Sequence, residues 1–287
     1  MKKYLAILGL TFATVVWGGG FVASDIALET LTPFQIMCLR FGIATVLMGL
    51  ISLPQLKGIT RKEWKSGILL GIALFISFAF QITGLKYTTA SKNAFLTGTY
   101  VVMVPFIAYV ILRKKVGIKG IVGAVLALVG VGVLSLNGDL TLGMGDAMTL
   151  VCAVGFAFQI FLTGVFVQEC RANVLNFLQM LVTFVLSVFC LTVTGETQFV
   201  MTRSGMLSAL YLGVISTTLC YFLQTTCQKY VDESRAAIIL SMESVFGTLL
   251  SILILQEQMT ARMVLGCIMI FAAVLIANAG EQKGVQK

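Results

Sequence analysis

Ten apolar stretches of roughly twenty residues make up most of this chain, and each has the length needed to cross a hydrocarbon core of about 30 Å. They run over 4–23, 32–52, 66–85, 92–112, 119–136, 147–167, 174–194, 205–227, 236–255 and 263–279, spans 1 to 10 in chain order. The 287 residues are 58% hydrophobic and only 11% charged, where a soluble domain carries about 25% charged residues. The charges cluster between the spans. The expected fold is an all-α membrane protein with ten transmembrane helices. Little chain remains for a soluble catalytic domain, a long linker or a nucleotide-binding module. Lys2 and Lys3 ahead of an apolar run look like the start of a signal peptide. The run continues for about 20 residues to Ser24 and takes part in a repeat, so it reads as span 1.

The repeat is visible in two stretches. Residues 77–94, SFAFQITGLKYTTASKNA, align without a gap on residues 220–237, CYFLQTTCQKYVDESRAA, at a shift of 143. Gln81 meets Gln224, Thr83 meets Thr226, Lys86-Tyr87 meets Lys229-Tyr230, Ser91 meets Ser234 and Ala94 meets Ala237. The same shift pairs Leu112 with Leu255 and Gly123 with Gly266. The front halves align at a shift of 139, with Trp17-Gly18 on Phe156-Ala157 and Arg40 on Gln179.

Each copy holds five spans, an odd number, so the second enters the membrane from the opposite side. The expectation is two inverted five-helix repeats, 1–139 and 140–287, related by a pseudo-two-fold axis in the membrane plane. That is the architecture of secondary transporters, whose halves exchange roles between inward-open and outward-open states. The short connections Lys86–Ser91 and Lys229–Ser234 make the spans they join antiparallel neighbours. Span 5 carries Gly120, Gly123, Ala124 and Ala127 at the spacing that lets helices approach closely in lipid. This face reads as packing inside a monomer, with a dimer seam as the alternative.

The net charge of +8 is not a nucleic-acid signal. With the amino terminus in the cytoplasm and alternating spans, 15 of the 20 Lys and Arg residues fall on the cytoplasmic side, among them Lys57, Arg61, Lys62, Arg113, Lys114, Lys115, Arg171, Lys283 and Lys287. Lys86, Lys92, Arg203 and Arg262 fall outside, and Arg40 lies within span 2. The positive-inside rule therefore predicts a multi-pass protein of the cytoplasmic membrane with both termini inside. The seven cysteines are scattered, nearly all in apolar spans, without a CxxC pair, and read as small packing residues. Histidine is absent, which removes His-ligated metal sites, His proton relays and Ser-His or Cys-His catalysis. No metal and no cofactor is expected.

Polar residues inside a membrane are costly, so their positions point to function or to helix pairing. Span 4 sets Asn93, Thr97 and Tyr100 at i, i+4 and i+7, and span 8 sets Tyr221, Gln224 and Gln228 at i, i+3 and i+7. Span 3 offers Ser77 and Gln81, span 6 offers Gln159 and Thr163, and span 1 offers Trp17, Phe21 and Ser24. One reading is a shared central cavity lined by Trp17, Phe21, Ser77, Gln81, Asn93, Thr97, Tyr100, Gln159, Tyr221 and Gln224, suited to a small polar solute. The other is hydrogen bonding between helices, worth about 0.6–2 kcal/mol per contact.

Two charges lie deep within spans: Arg40 roughly 12 Å into span 2 and Glu243 roughly 10 Å into span 9, at 1.5 Å per residue. Arg40 either attracts an anionic group or ties span 2 to the Asp25/Glu29 segment. Glu243 is the only acid well inside a span, so it is either a proton carrier or a structural group held by hydrogen bonds. Gly143-Met144-Gly145-Asp146 matches the GxGD of intramembrane aspartyl proteases, but no second aspartate lies within a span to complete that chemistry. There is no GxxxxGK[ST] phosphate loop.

Several motifs together resemble one family. Trp17-Gly18-Gly19-Gly20-Phe21-Val22-Ala23 is similar to the WGxxFxx start of EamA-type members of the drug/metabolite transporter superfamily. Pro33 with Leu39-Arg40-Phe41, Leu96-Thr97-Gly98-Thr99-Tyr100 through Pro105, and Gly145-Asp146 resemble later segments. Ser241-Met242-Glu243-Ser244-Val245-Phe246 with Gln256-Glu257 resembles its LEPVFA…GE segment. The resemblance covers nearly the whole chain. It implies a central cavity between spans 1, 3, 4, 6, 8 and 9, and export or exchange of small metabolites, often amino acids or related compounds.

Ser244 stands where the family has proline, which argues against a kink in span 9, and Arg113-Lys114-Lys115 replaces an acidic end of span 4. The expected function is a secondary transporter acting on a small-molecule substrate within the lipid bilayer. The alternative, a membrane sensor or scaffold, lacks a soluble output surface.

Overall fold

The computed structural model describes residues 2–113, 118–135 and 142–281. The repeat boundary at 139–140 lies outside the described residues, as do Lys114, Lys115, Lys283 and Lys287.

The described chain is helical almost throughout. The helices are α1 (Lys2–Leu28), α2 (Pro33–Leu56), α3 (Arg61–Leu85), α4 (Ala90–Gly98), α5 (Tyr100–Leu112), α6 (Ile118–Ser135), α7 (Met144–Phe166) and α8 (Ala172–Thr194). They are followed by α9 (Arg203–Leu210), a π segment (Tyr211–Leu219), α10 (Cys220–Cys227), α11 (Glu233–Leu240), α12 (Glu243–Ile254) and α13 (Ala261–Glu281).

Among the described residues, eight helical runs are long and apolar enough to cross a membrane: Lys2–Leu28, Pro33–Leu56, Arg61–Leu85, Ala90–Leu112, Met144–Phe166, Ala172–Thr194, Arg203–Cys227 and Glu233–Ile254. These are spans 1 to 4 and 6 to 9. Spans 5 and 10 fall in α6 and α13, whose described apolar stretches Ile121–Gly130 and Val264–Ala273 are shorter. Of the ten expected spans, eight are thus present as full-length runs among the described residues, and shorter apolar helices stand at the places of the other two. The chain is a multi-pass membrane protein.

Local chemistry sets the helix starts. Thr32 and Thr60 each accept a hydrogen bond from the backbone three residues on, and Gln35 and Glu63 reach back to the cap N–H, so both α2 and α3 open with a capping box. Pro33 at the first helical position of α2 loses no bond there.

Two spans are broken in mid-course. Between α4 and α5 the ladder tightens, with Thr99 N–H donating to the Leu96 carbonyl at 3.2 Å and Val102 N–H to Thr99 at 3.1 Å. Pro105, which has no N–H for the ladder, lies just beyond. Between α11 and α12, Met242 N–H donates to Ile239 at 3.2 Å and Ser244 N–H to Ser241 at 3.1 Å. This second break forms without proline, against the expectation drawn from Ser244. The hydroxyls of Ser241 and Ser244 donate to the Ile238 and Ser241 carbonyls, both at 2.7 Å. Serine bonds of this kind compete with the ladder and bend helices.

Packing is close where glycine faces a neighbour. A Cβ on Gly18 would sit 2.6 Å from the Phe246 Cβ and 2.8 Å from the Gly247 backbone nitrogen, so α1 and α12 cross almost backbone to backbone. On Gly145 it would lie 2.6 Å from the Gly84 carbonyl oxygen, which seats the start of α7 on the α3–α4 turn. α6 packs along α13, with Gly130 against Ile270. α2 lies on α8, and α3 lies on α7 and α8. The polarity is inverted relative to a soluble protein: Leu50, Val110, Leu128 and Leu253 face outward, while Asn176, Gln179, Thr183 and Ser187 are buried. In lipid, outward apolar side chains cost nothing and polar ones must find partners inside.

Candidate functional site: a central polar cavity

α1, α2, α3, α4, α5, α7, α10, α12 and the π segment surround a cavity of ≈ 550 Å³, counted out to its open rim. Its wall carries Trp17, Phe21, Gln81, Asn93, Tyr100, Gln159, Tyr221 and Gln224, together with both intramembrane charges, Arg40 and Glu243. Phe78, Phe156 and Ser216 also face it.

Aromatic rings build one side. Trp17 and Tyr221 lie 5.0 Å apart, Phe78 meets Phe156 edge-on at 5.2 Å, and Tyr100 reaches Phe156 at 6.4 Å. The Trp17 indole N–H donates to the Ser216 carbonyl at 2.7 Å and the Tyr211 hydroxyl to the Val16 carbonyl at 2.7 Å, which fixes α1 against the π segment.

The amides fall into two groups. Gln81 donates to the Thr97 hydroxyl at 3.3 Å, and Asn93 donates to the Gln81 carbonyl at 3.2 Å and the Thr149 hydroxyl at 2.8 Å. Farther along the cavity, Gln224 donates to Gln159 at 3.2 Å, Gln159 to Gln179 at 3.2 Å, and Gln179 to Asn176 at 2.7 Å. This second group is a buried amide chain across α10, α7 and α8.

The two charges stay apart from other ions. Arg40 is 3% exposed and its Nε donates to the Thr217 hydroxyl at 3.0 Å. Its guanidinium carbon stands 4.1 Å from the Phe78 ring centre and 5.4 Å from that of Phe41. It makes no ion pair with Asp25 or Glu29, so the outward tie allowed by the sequence does not form. Glu243, 6% exposed, opens α12, and the Tyr100 hydroxyl faces it without a well-formed hydrogen bond. Among the described residues no cation pairs with Glu243.

The EamA-like transporter family model matches residues 4–136 and again 143–279. The chain belongs to the EamA-like transporter family. It is 34% identical to an uncharacterized transporter of Archaeoglobus fulgidus over 97% of this chain and 87% of that one. It is 25% identical to a probable amino-acid metabolite efflux pump of Escherichia coli, over 96% of this chain and 95% of that one. A solved crystal structure superimposes with a TM-score of 0.72 over 96% of this chain and 97% of that one, at 18% identity, a likeness of fold. The protein is therefore a membrane transporter and not an enzyme.

Within this EamA-like fold, two expected lining residues sit elsewhere. Ser77 donates to the Ala73 carbonyl at 2.7 Å and is pressed against Gly155, and Thr97 bonds Gln81 and touches the Cys152 sulfur at 3.8 Å. Both support the wall from behind. Phe78, Phe156, Ile160 and Ser216 line the cavity without having been singled out. Asp146 takes the Thr88 hydroxyl and the Lys92 ammonium at 3.2 Å. The GxGD stretch is thus a helix start docked on a turn. Among the described residues no group of three or more His, Cys, Asp or Glu side chains could hold a metal ion.

Replacing Gln81 or Gln224 with leucine should lower flux on the order of tenfold, the effect of losing one buried polar contact of about 1–3 kcal/mol. Each change removes one interhelical hydrogen bond, about 0.6 kcal/mol in membranes, so thermal stability should barely move. Unfolding of both variants would assign these amides to packing.

Proposed function

We propose that this transporter exports or exchanges small polar metabolites, amino acids or related compounds, by alternating access of the central cavity. One observation carries the reading: four lining residues present a buried polar atom with no hydrogen-bond partner among the described residues. They are the Asn93 carbonyl, the Tyr100 hydroxyl, the Ser216 hydroxyl and the Gln224 carbonyl. Buried polar groups are nearly always partnered, so a cluster of orphans around one cavity is a set of contacts reserved for a solute or its water.

The mechanism rests on the repeat. The helix caps Thr89 and Asp232, and the facing residues Tyr100 and Glu243 just beyond the two breaks, are both 143 positions apart, the shift read from the sequence. Broken helices at corresponding places in two inverted halves, each contributing to one site, are the pattern of alternating-access carriers. Polar ties join the halves at both ends. Arg171 forks onto Glu63 at 2.7 and 2.8 Å, and Glu257 accepts the Ala90 N–H at 2.8 Å and bonds Ser91. In our reading ten spans cross the cytoplasmic membrane, both termini are inside, and the monomer is the working unit.

The test places single cysteines near Asn93 and near Ala236 in a background freed of native cysteines, in proteoliposomes loaded from a metabolite library. Adding a transported solute should change their accessibility in opposite directions. Parallel changes at both sites would indicate a channel, and absence of flux for every solute would remove the transport reading.

A further inference from the structure

Resting on that transport reading, we propose that Arg40 is the anchor for a carboxylate of the transported solute, so that the cavity accepts acids and rejects their neutral amides.

Arg40 lines the cavity while 3% exposed. Among the described residues only its Nε is hydrogen-bonded, to Thr217, and no carboxylate forms an ion pair with it. Among the described residues the two terminal nitrogens of its fork therefore meet no acceptor. A buried guanidinium left in this condition is costly unless an anion completes it. The rest of its surroundings hold it still without neutralising it. Phe78 covers one face at 4.1 Å, and Thr217 fixes the Nε side.

Such clamping leaves the planar, two-pronged edge as the free part. That edge matches a carboxylate with two parallel N–H···O bonds. The π segment contributes by setting Thr217 on Arg40 and, one residue earlier, turning the unpartnered Ser216 hydroxyl to the same cavity. A single guanidinium supplies one positive charge, which balances a carboxylate but not a phosphate dianion.

The experiment compares matched pairs: each of several amino acids against its own primary amide, with inorganic phosphate as a third probe. Flux is measured in proteoliposomes and binding by thermal stabilisation of the purified protein. Wild type should bind and move the acids at least about tenfold better than the amides, since a lost charge-assisted contact costs about 1.5–3 kcal/mol. Arg40→Gln should bring the acid-to-amide ratio close to one, and Arg40→Lys should restore part of the preference.

Equal handling of acids and amides by wild type would overturn the proposal even if Arg40→Gln fails to fold, and would leave transport standing. Retention of the wild-type ratio in a folded Arg40→Gln would also overturn it. Stabilisation by phosphate, with none by the acids, would assign the site to another anion and overturn the carboxylate assignment. Absence of flux for every metabolite-library solute would instead sink the transport reading beneath it.

Discussion

Glu243→Gln is expected to preserve downhill exchange of substrate while removing the accumulation that a pH gradient drives. Glutamine keeps the shape of the side chain and discards its ability to carry a proton. The carboxyl lines the cavity at the start of α12, faces the Tyr100 hydroxyl, and has Tyr221 on the same wall. No cation among the described residues pairs with it. A permanently charged carboxylate in such a place is costly. A carboxyl that is wetted from one side and then the other can move a proton with each cycle. The check is uptake of a labelled amino acid into proteoliposomes with an imposed pH gradient, beside counterflow without one. Wild type should accumulate and the variant should only equilibrate. Undiminished accumulation by Glu243→Gln would assign the carboxyl a structural role.

A larger loss is expected from Gly18→Val, which should abolish transport and lower the stability of the folded protein. The added carbon would fall 2.6 Å from the Phe246 Cβ and 2.8–2.9 Å from Gly247 and Phe246 backbone atoms. A flexible side chain could swing away, but a helix backbone must shift as a body. Overpacking typically costs about 1–3 kcal/mol, and rigid neighbours put this site at the upper end. The shift would also part α1 from α12, the helices that bring Trp17, Phe21 and Glu243 to the cavity. Gly143→Ala is the control, because its new carbon would meet nothing closer than 3.8 Å, the tip of Asp146. Thermal unfolding in detergent and flux decide the matter. A Gly18→Val protein with wild-type stability would show that the α1–α12 crossing is looser than its geometry.

The spans were legible because a hydrocarbon core imposes a length and a composition, and both survive in the sequence. Cavity residues such as Gln81, Gln159 and Gln224 were legible for a related reason: an amide in an apolar run has few uses. Thr97 shares the unbroken helix α4 with Asn93, but its hydroxyl is taken up by Gln81 and the Cys152 sulfur, so spacing alone did not bring it to the cavity. The break at Thr99 comes after both residues and affects only how Tyr100 follows them. Phe78, Phe156 and Ile160 gave no signal, since an apolar side chain in a membrane span looks the same whether it meets lipid or solute. No proline marks the break before Glu243, and serine hydroxyls serve there instead. The π segment carries no such mark in the sequence; within it the Thr218 hydroxyl donates to the Gly213 carbonyl five residues back at 2.7 Å.

That π segment has a consequence for how the chain tolerates change in length. In an α-helix each residue turns the following face by about 100°. A wide-turn stretch such as Tyr211–Leu219 accommodates a residue that a regular helix would not, and it sets the phase of everything after it. Deleting one residue there, Val214 for example, would let the stretch relax into ordinary helix while leaving Tyr221 and Gln224 close to their present phase, whereas the same deletion in the regular helix α10 would turn every residue after it by about 100°. The hydrophobic length of the span would scarcely change, so the protein would still insert. Its loss would be local, the wide turn that sets Thr217 on Arg40 and Ser216 on the cavity.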